Sequence, residues 1–239
     1  MKVMAYNIRH GWGCDGRVDL ERIAQVIEQE NPDLVGLNEV DVHFHRRSGF
    51  TDQLSHLATR LGMSAVFGPA ITRGSEISNT GYGNGLLLKG NVLRSENILV
   101  TRMGEETRAL LVVELQPEGV KHRVCTMVTH MGLTPWMRRK QTDVLIKQLQ
   151  KVAMPIVVTG DWNVIPCRPV VRRLNPYLRD VLAEWGVKGA TYPCSSPRKR
   201  IDYIFCSSHF QIMDAKVVDH AGCPSDHLPI TCRLERIPT

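Results

Sequence analysis

Short apolar runs in this 239-residue chain repeatedly end on an acid, an amide or a histidine. Asn7 follows the run at 3–6, and Asn38 and Glu39 follow the run at 34–37. His130 follows 124–128, and Asp161 with Asn163 follows 155–159. Asp202 lies in the run at 201–206, and Asp226-His227 precedes the run at 228–234. Strand ends on a rigid scaffold can aim several side chains at one point. Carboxylates and amide oxygens are hard ligands, suited to Mg²⁺ or Mn²⁺. Closely spaced histidines or cysteines of the kind that hold a structural zinc are too few. A histidine beside one aspartate, with a second aspartate to orient it, can act as a general base on water. A second histidine can hydrogen-bond a phosphoryl oxygen or assist the leaving group. Metal, amides and cationic groups would then stabilise charge on a transferring phosphoryl group. This is equipment for metal-assisted phosphoester hydrolysis. Taken singly the same residues read as a turn asparagine, a solvated glutamate and capping aspartates. Only their order along the chain favours chemistry.

The elements that must position these residues are legible in outline. The run at 3–6 reads as a strand, and 11–16 as a glycine-rich loop. Asp19 caps a helix whose Leu20, Ile23, Ala24 and Ile27 keep helical spacing, stopped at Asn31-Pro32. A second helix is expected from about Thr51 to Leu61. From Met63 to Val128 the pattern is mostly β, with runs at 85–88, 98–100, 110–115 and 124–128. Thr134-Pro135 opens a helix of about four turns. A β-branched strand at 155–159 leads into Gly160-Asp161, a shorter helix carries Leu178 to Trp185, and three strands close the chain. Neither a linker nor a fixed-period repeat interrupts it. One α/β domain spanning 1–239 is expected, with layered sheets.

Composition sets outer bounds. Hydrophobic residues make up 43% and charged residues 23%, which is ordinary for a globular chain and excludes disordered, collagenous and coiled-coil classes. The net charge of +6 suits an anionic partner. The longest apolar runs fall short of a membrane helix, and the N-terminus lacks a secretory pattern. The seven cysteines are odd in number and contain no CxxC pair, which argues against a disulfide framework. A reduced, cytoplasmic setting is expected, with Cys125, Cys206 and Cys232 as core residues.

The motifs 4–11 (MAYNIRHG), 37–40 (LNEV), 129–131 (THM), 160–163 (GDWN), 200–204 (RIDYI) and 225–229 (SDHLP) together resemble the endonuclease/exonuclease/phosphatase superfamily. That group includes DNase I-like nucleases, abasic-site endonucleases, inositol-polyphosphate phosphatases and neutral sphingomyelinases. The resemblance implies a four-layer α/β sandwich, two mixed sheets face to face with helices outside. It implies that Glu39 is the main metal ligand, with Asn7 and Asp226 beside the metal. It implies that His227 acts as base or polarises the attacked phosphate, oriented by Asp202. Asp161 and Asn163 would position water and contact the phosphate, and His130 matches the histidine of the nuclease and lipase branches. Asn84, in the segment 81–85, and Arg108 are candidate substrate contacts, the latter as a planar donor fork.

Two positions depart from the family pattern. Asn38 stands where glutamine commonly precedes the glutamate, which alters a neighbouring hydrogen bond and leaves the metal ligand in place. Met131 replaces a more usual leucine- or valine-type residue. His10 is a candidate to line the site, whereas His43, His45, His56, His209 and His220 read as surface. Arg138-Arg139-Lys140 reads as a solvated helix face, and Arg198-Lys199-Arg200 as a candidate for steering phosphate. Trp136, Trp162 and Trp185 read as packing residues. The expected function is divalent-metal-dependent hydrolysis of a phosphodiester or phosphomonoester, with DNA as the first substrate to test. Lipid or small-molecule phosphoesters are the alternative, and a non-catalytic anion-binding module is a third reading. No obligatory protein partner is evident.

Overall fold

In a computed structural model, which describes residues 1–73 and 80–238, strand alternation generates the layers. Strand β1 (Lys2–Asn7) is buried from Val3 onward, so apolar side chains leave it on both faces. Val3 and Ala5 point into one apolar cluster, and Met4 and Tyr6 into another. The strand is therefore central to its sheet, with packed layers on either side.

The second cluster is closed by two amphipathic helices. Helix α1 (Leu20–Glu30) starts at Asp19, whose carboxylate accepts from the backbone N–H groups of Glu21 and Arg22. It presents Ile23, Ala24 and Ile27 inward. Strand β2 (Leu34–Val42) follows, then helix α2 (Gln53–Leu61), capped by Asp52. Strands β3 (Ser64–Thr72) and β4 (Gly81–Leu88) complete one side of this half. The other half begins with β5 (Gly90–Val100), β6 (Arg108–Pro117) and β7 (Val124–His130). Thr134 caps helix α3 (Pro135–Leu149), and β8 (Ile156–Asp161) follows. The short elements α4 (Pro169–Arg172), β9 (Arg179–Asp180) and α5 (Val181–Glu184) lead to β10 (Asp202–Cys206), β11 (Phe210–Val217) and β12 (Ile230–Arg236).

These strands form two mixed six-stranded sheets, ordered β11-β12-β1-β2-β4-β3 and β5-β6-β7-β8-β10-β9. Between them lies a cluster that includes Val3, Leu34, Leu86, Val113, Val128 and Ile204. A third cluster packs Met127, Val158 and Phe205 of the second sheet against Leu145 and Leu149 of α3. The result is helix, sheet, sheet, helix, as expected for a DNase I-like α/β sandwich. The two sheets approach so closely that a Cβ at Gly36 would lie 1.9 Å from Thr159 Oγ1.

Several elements differ from expectation. Strand β3 has no counterpart among the runs read from sequence, because its residues are mostly half-buried or exposed and include Gly68 and Pro69. Strand β2 continues past Leu37 to Val42, so Glu39 lies inside it rather than at its end. The helix read at 178–185 is one turn, and Trp185 after it is 48% exposed. Trp136 is 66% exposed, so neither it nor Trp185 packs as expected, whereas Trp162 is fully buried against Tyr203 and Phe205.

Pairing register brings the chemical residues together. In the parallel pair β1–β2, Asn7 lies opposite Asn38. In the parallel pair β7–β8, His130 lies opposite Asp161, and in the antiparallel pair β8–β10, Asp161 lies opposite Asp202. Among the described residues no helix is long and apolar enough to cross a membrane.

Candidate active site

Glu39 leaves its strand at an irregularity. The register of β2 against β4 shifts between Leu37 and Val40, and Glu39 has φ +59°. A bulge of this kind re-aims a side chain without ending the strand. Glu39 Oε1 accepts a hydrogen bond from Asn7 Nδ2 at 3.0 Å. The same amide donates to Asp161 Oδ2 at 3.1 Å, so Asn7 links the two carboxylates across the sheets. Asn7 Oδ1 accepts from the backbone N–H of Arg9 at 3.0 Å, which fixes the orientation of the amide.

Asp161 is 2% exposed. The preceding Gly160 has φ +147°, and a Cβ there would lie 1.8 Å from the carbonyl oxygen of Thr129, so the close approach to β7 needs glycine. Asp161 Oδ1 accepts from the backbone N–H of Asn163 at 2.8 Å. Its Oδ2 lies 3.5 Å from His130 Nε2 and 3.7 Å from His227 Nε2. Asn163, at φ +51°, donates through Nδ2 to the carbonyl of Met131 at 2.9 Å and lies 3.1 Å from His130 Nε2.

His227 Nδ1 faces Asp202 Oδ2 at 2.9 Å, and the Tyr192 ring packs 4.9 Å from its own. Asp226 Oδ1 lies 4.0 Å from His227 Nε2, and Asp226 Oδ2 lies 3.5 Å from Arg9 Nε. One atom each of Asp161, Asp202 and His227 falls within 4.8 Å of the others.

The electrostatics follow from burial and these neighbours. Burial raises the affinity of Asp161 for a proton, and the nearby Asp202 carboxylate raises it further, against the opposing pull of His227 and the Asn163 and Asn7 hydrogen bonds. Burial disfavours charge on His227, but the Asp202 carboxylate, followed by Asp161 and Asp226, outweighs it and favours the imidazolium. Burial, with Arg108 and His227 as like charges, keeps His130 neutral.

Residues with no catalytic or metal role assigned from the sequence hold this arrangement. Asn38 Oδ1 accepts from the Asp161 backbone N–H at 2.8 Å, and its Nδ2 donates to Asn84 Oδ1 at 2.8 Å and to the Thr129 carbonyl at 3.1 Å. Ser225 Oγ donates to the Asn7 carbonyl at 2.7 Å and accepts from the His227 N–H at 3.3 Å. Thr191 Oγ1 accepts from the N–H groups of Ile201 and Asp202 at 3.2 and 3.4 Å. Asn38, inside the segment 37–40, and Ser225, two before His227, carry a motif signal, whereas Thr191 carries none.

Asn84 is buried and donates to the carbonyls of Ala109 and Val128 at 2.9 and 3.3 Å, so its amide braces the sheets. Arg108 is 8% exposed and pairs with Glu106 at 3.0 Å, while its Nε has no partner among the described residues. Arg200 is held by Asp180 through bonds of 2.8 and 2.5 Å and lies over the Tyr203 ring, so its guanidinium serves packing rather than phosphate steering. His10 is buried, but its Nδ1 has no partner among the described residues.

The cysteine expectation is corrected here. Cys194 and Cys223 form a disulfide across 29 residues. Their loops meet only in the folded chain, so spacing carried no signal. The bridge borders the site, because the Cys194 N–H donates to the Asp226 carbonyl at 2.7 Å. Cys14 is free and exposed, and Cys125, Cys206 and Cys232 are buried thiols as expected.

The chain is similar across its length to known proteins. The Escherichia coli K12 protein YbhP is 22% identical over 253 residues, covering 98% of this chain and 95% of YbhP. An endonuclease/exonuclease/phosphatase structure from Beutenbergia cavernae is 25% identical with a TM-score of 0.76, covering 99% of this chain and 71% of that one. The mannosyl-6-phosphatase Bt3783 of Bacteroides thetaiotaomicron shares the fold, with a TM-score of 0.83 at 17% identity over 98% and 99% of the two chains. The model of the Endonuclease/Exonuclease/phosphatase family matches residues 4–227. With that match spanning the site from Asn7 to His227, the chain belongs to this family of phosphoric ester hydrolases.

Proposed function

We propose that the chain hydrolyses a phosphodiester or phosphomonoester by in-line attack of water at phosphorus, with Mg²⁺ or Mn²⁺ as cofactor. The carrying observation is the convergence of Asp161, His227 and Asn163 on one point, with Asp202 behind His227 at 2.9 Å. The donor set fits a hard divalent cation. Glu39 and Asp226 offer carboxylate oxygens, Asn7 offers the Oδ1 lone pair that the Arg9 N–H leaves free, and the surrounding Asp161 and Asp202 carboxylates add negative charge that a cation offsets. Glu39, Asn7 and Asp226 would hold it, and when bound it would supply charge stabilisation at the phosphoryl oxygens.

The protein's own groups divide the remaining work. Asp161, whose proton affinity is raised, accepts the proton of the attacking water. His227, favoured as imidazolium, donates a hydrogen bond to a phosphoryl oxygen, and Asp202 maintains that state. Asn163 donates to the phosphate, beside a neutral His130 that faces the leaving-group oxygen. Arg108 contributes positive charge, and Asn84 acts one step back, through Asn38. The fold shared with a mannosyl-6-phosphatase supports phosphoester substrates that are not nucleic acid, and the +6 charge supports DNA.

The test is turnover of supercoiled plasmid, bis(p-nitrophenyl) phosphate and p-nitrophenyl phosphate in Mg²⁺ or Mn²⁺. Hydrolysis of one of these that is abolished by EDTA and by His227→Ala is expected. A folded protein inert on all three, or turnover that persists in the variant, overturns the reading.

A further inference from the structure

A cavity of about 830 Å³ opens beside the site and shares Asn163 with it. Arg138, Arg139, Arg168, Arg173 and Lys199 line it, and among the described residues no carboxylate does. Its remaining wall is apolar, with Val164, Ile165, Pro169 and Ile201 prominent. Of the five cations, only Arg173 has a carboxylate partner among the described residues, Asp143 at 2.5 Å. Arg138 Nη1 is taken by the backbone carbonyls of Gly132 and Leu133, at 3.1 and 2.6 Å, and Glu105 is the one carboxylate whose charge acts on it, without forming an ion pair, among the described residues.

Arg139, Arg168, Arg173 and Lys199 are exposed at the mouth and Arg138 is half-buried, so an anion entering the cavity meets several cations at once. Burial, and then the facing Arg168, already depress the proton affinity of Arg138. Apolar walls between the cations exclude a purely ionic occupant such as a free inorganic anion as the best fit.

Resting on the phosphoester hydrolase reading above, we propose that this cavity binds the part of the substrate beyond the scissile phosphate. That part carries a second anionic group on an apolar body. Arg138 and Arg168 receive the anion, and Val164, Ile165 and Ile201 receive the apolar segment. The substrate class is an amphiphilic phosphoester with two anionic centres, either a free small molecule or a lipid headgroup with its first methylenes.

Binding separates this proposal from the catalytic reading. Hexane-1,6-diol bisphosphate and hexyl monophosphate share one phosphate and the apolar chain, and differ only in the second anion. Calorimetry in Mg²⁺ on the full chain carrying His227→Ala, which keeps the probes from being turned over, should show the bisphosphate binding roughly tenfold or more tightly, the worth of one charge-assisted contact. Arg168→Ala and Arg138→Gln should each reduce that ratio toward one while leaving hexyl phosphate affinity unchanged. Equal affinity of the two probes, or a ratio that survives both substitutions, overturns the proposal. If the preference holds while no phosphoester is turned over, the catalytic reading fails and the cavity assignment stands.

Vesicles of phosphatidylcholine with phosphatidylinositol 4-phosphate, whose headgroup carries a second phosphate, distinguish the source. Co-sedimentation that depends on Arg168 identifies a lipid. Its absence, with the bisphosphate preference intact, identifies a soluble substrate. Both outcomes support the two-anion site.

Discussion

Asn38 of the first sheet accepts a hydrogen bond from the backbone N–H of Asp161 in the second, at 2.8 Å. Asn38 is fully buried, and its amide also holds Asn84 and the Thr129 carbonyl. The residue before the candidate metal-binding glutamate thereby fixes the backbone of the candidate base. Removing it would orphan the Asp161 N–H and the Asn84 oxygen inside the sandwich. Asn38→Ala is expected to lose about 2–3 kcal/mol of stability in urea unfolding, and to lower kcat. Asn38→Gln, which restores the residue more common in the family, should recover most of both.

The pH profile follows from Asp161 and His227. Burial and Asp202 push Asp161 up to about 7, so the acidic limb of kcat/KM is expected near pH 7. Burial pulls His227 down, but Asp202 and then Asp161 and Asp226 bring it up to about 10, so the alkaline limb lies near pH 10. Removing the Asp202 carboxylate removes the leading upward influence. Asp202→Asn should move the alkaline limb to lower pH, and His227→Ala should cost about a thousandfold in kcat. An alkaline limb unmoved in Asp202→Asn would dissociate His227 from that limb.

Stability should depend on His10. Burial, followed by Arg47, pushes its pKa down to about 4 from 6.5. The unfolded chain therefore binds the proton more readily, and stability falls as pH drops from 6.5 toward 4. The full difference is about 3 kcal/mol. His10 has φ +44°, a conformation that asparagine tolerates, so His10→Asn should fold and lose this part of the acid sensitivity. Chemical denaturation at pH 7.5 and pH 4.5 compares the slopes.

The Cys194–Cys223 bridge closes a loop of 29 residues and anchors the segment that carries Asp226 and His227. By loop entropy its loss should cost about 3–4 kcal/mol. The double variant Cys194→Ala, Cys223→Ala is expected to melt lower in a thermal scan and to lose activity. The free Cys14 thiol should label with iodoacetamide before reduction, as an exposed group.

Most strands other than β3, the capped helices at Asp19 and Thr134, and the ordered motifs from Asn7 to His227 can be read from the order of the residues alone. Periodicity and capping are local, and motif order is linear, so both are written in the chain. Tertiary structure alone decided what those motifs meet. The bulge that turns Glu39 toward Asn7 depends on β2 continuing to Val42 against β4, where Val42 lies opposite Gly81 and Leu34 opposite Leu88. The opposition of Asp161 with Asp202 depends on strand register, and the Cys194–Cys223 pair on two loops brought side by side. Arg138 and Arg139, solvated by pattern, face a cavity because α3 packs beside the loop that carries Arg168. Non-local contacts of this kind follow from how apolar faces stack, which no short window of residues encodes.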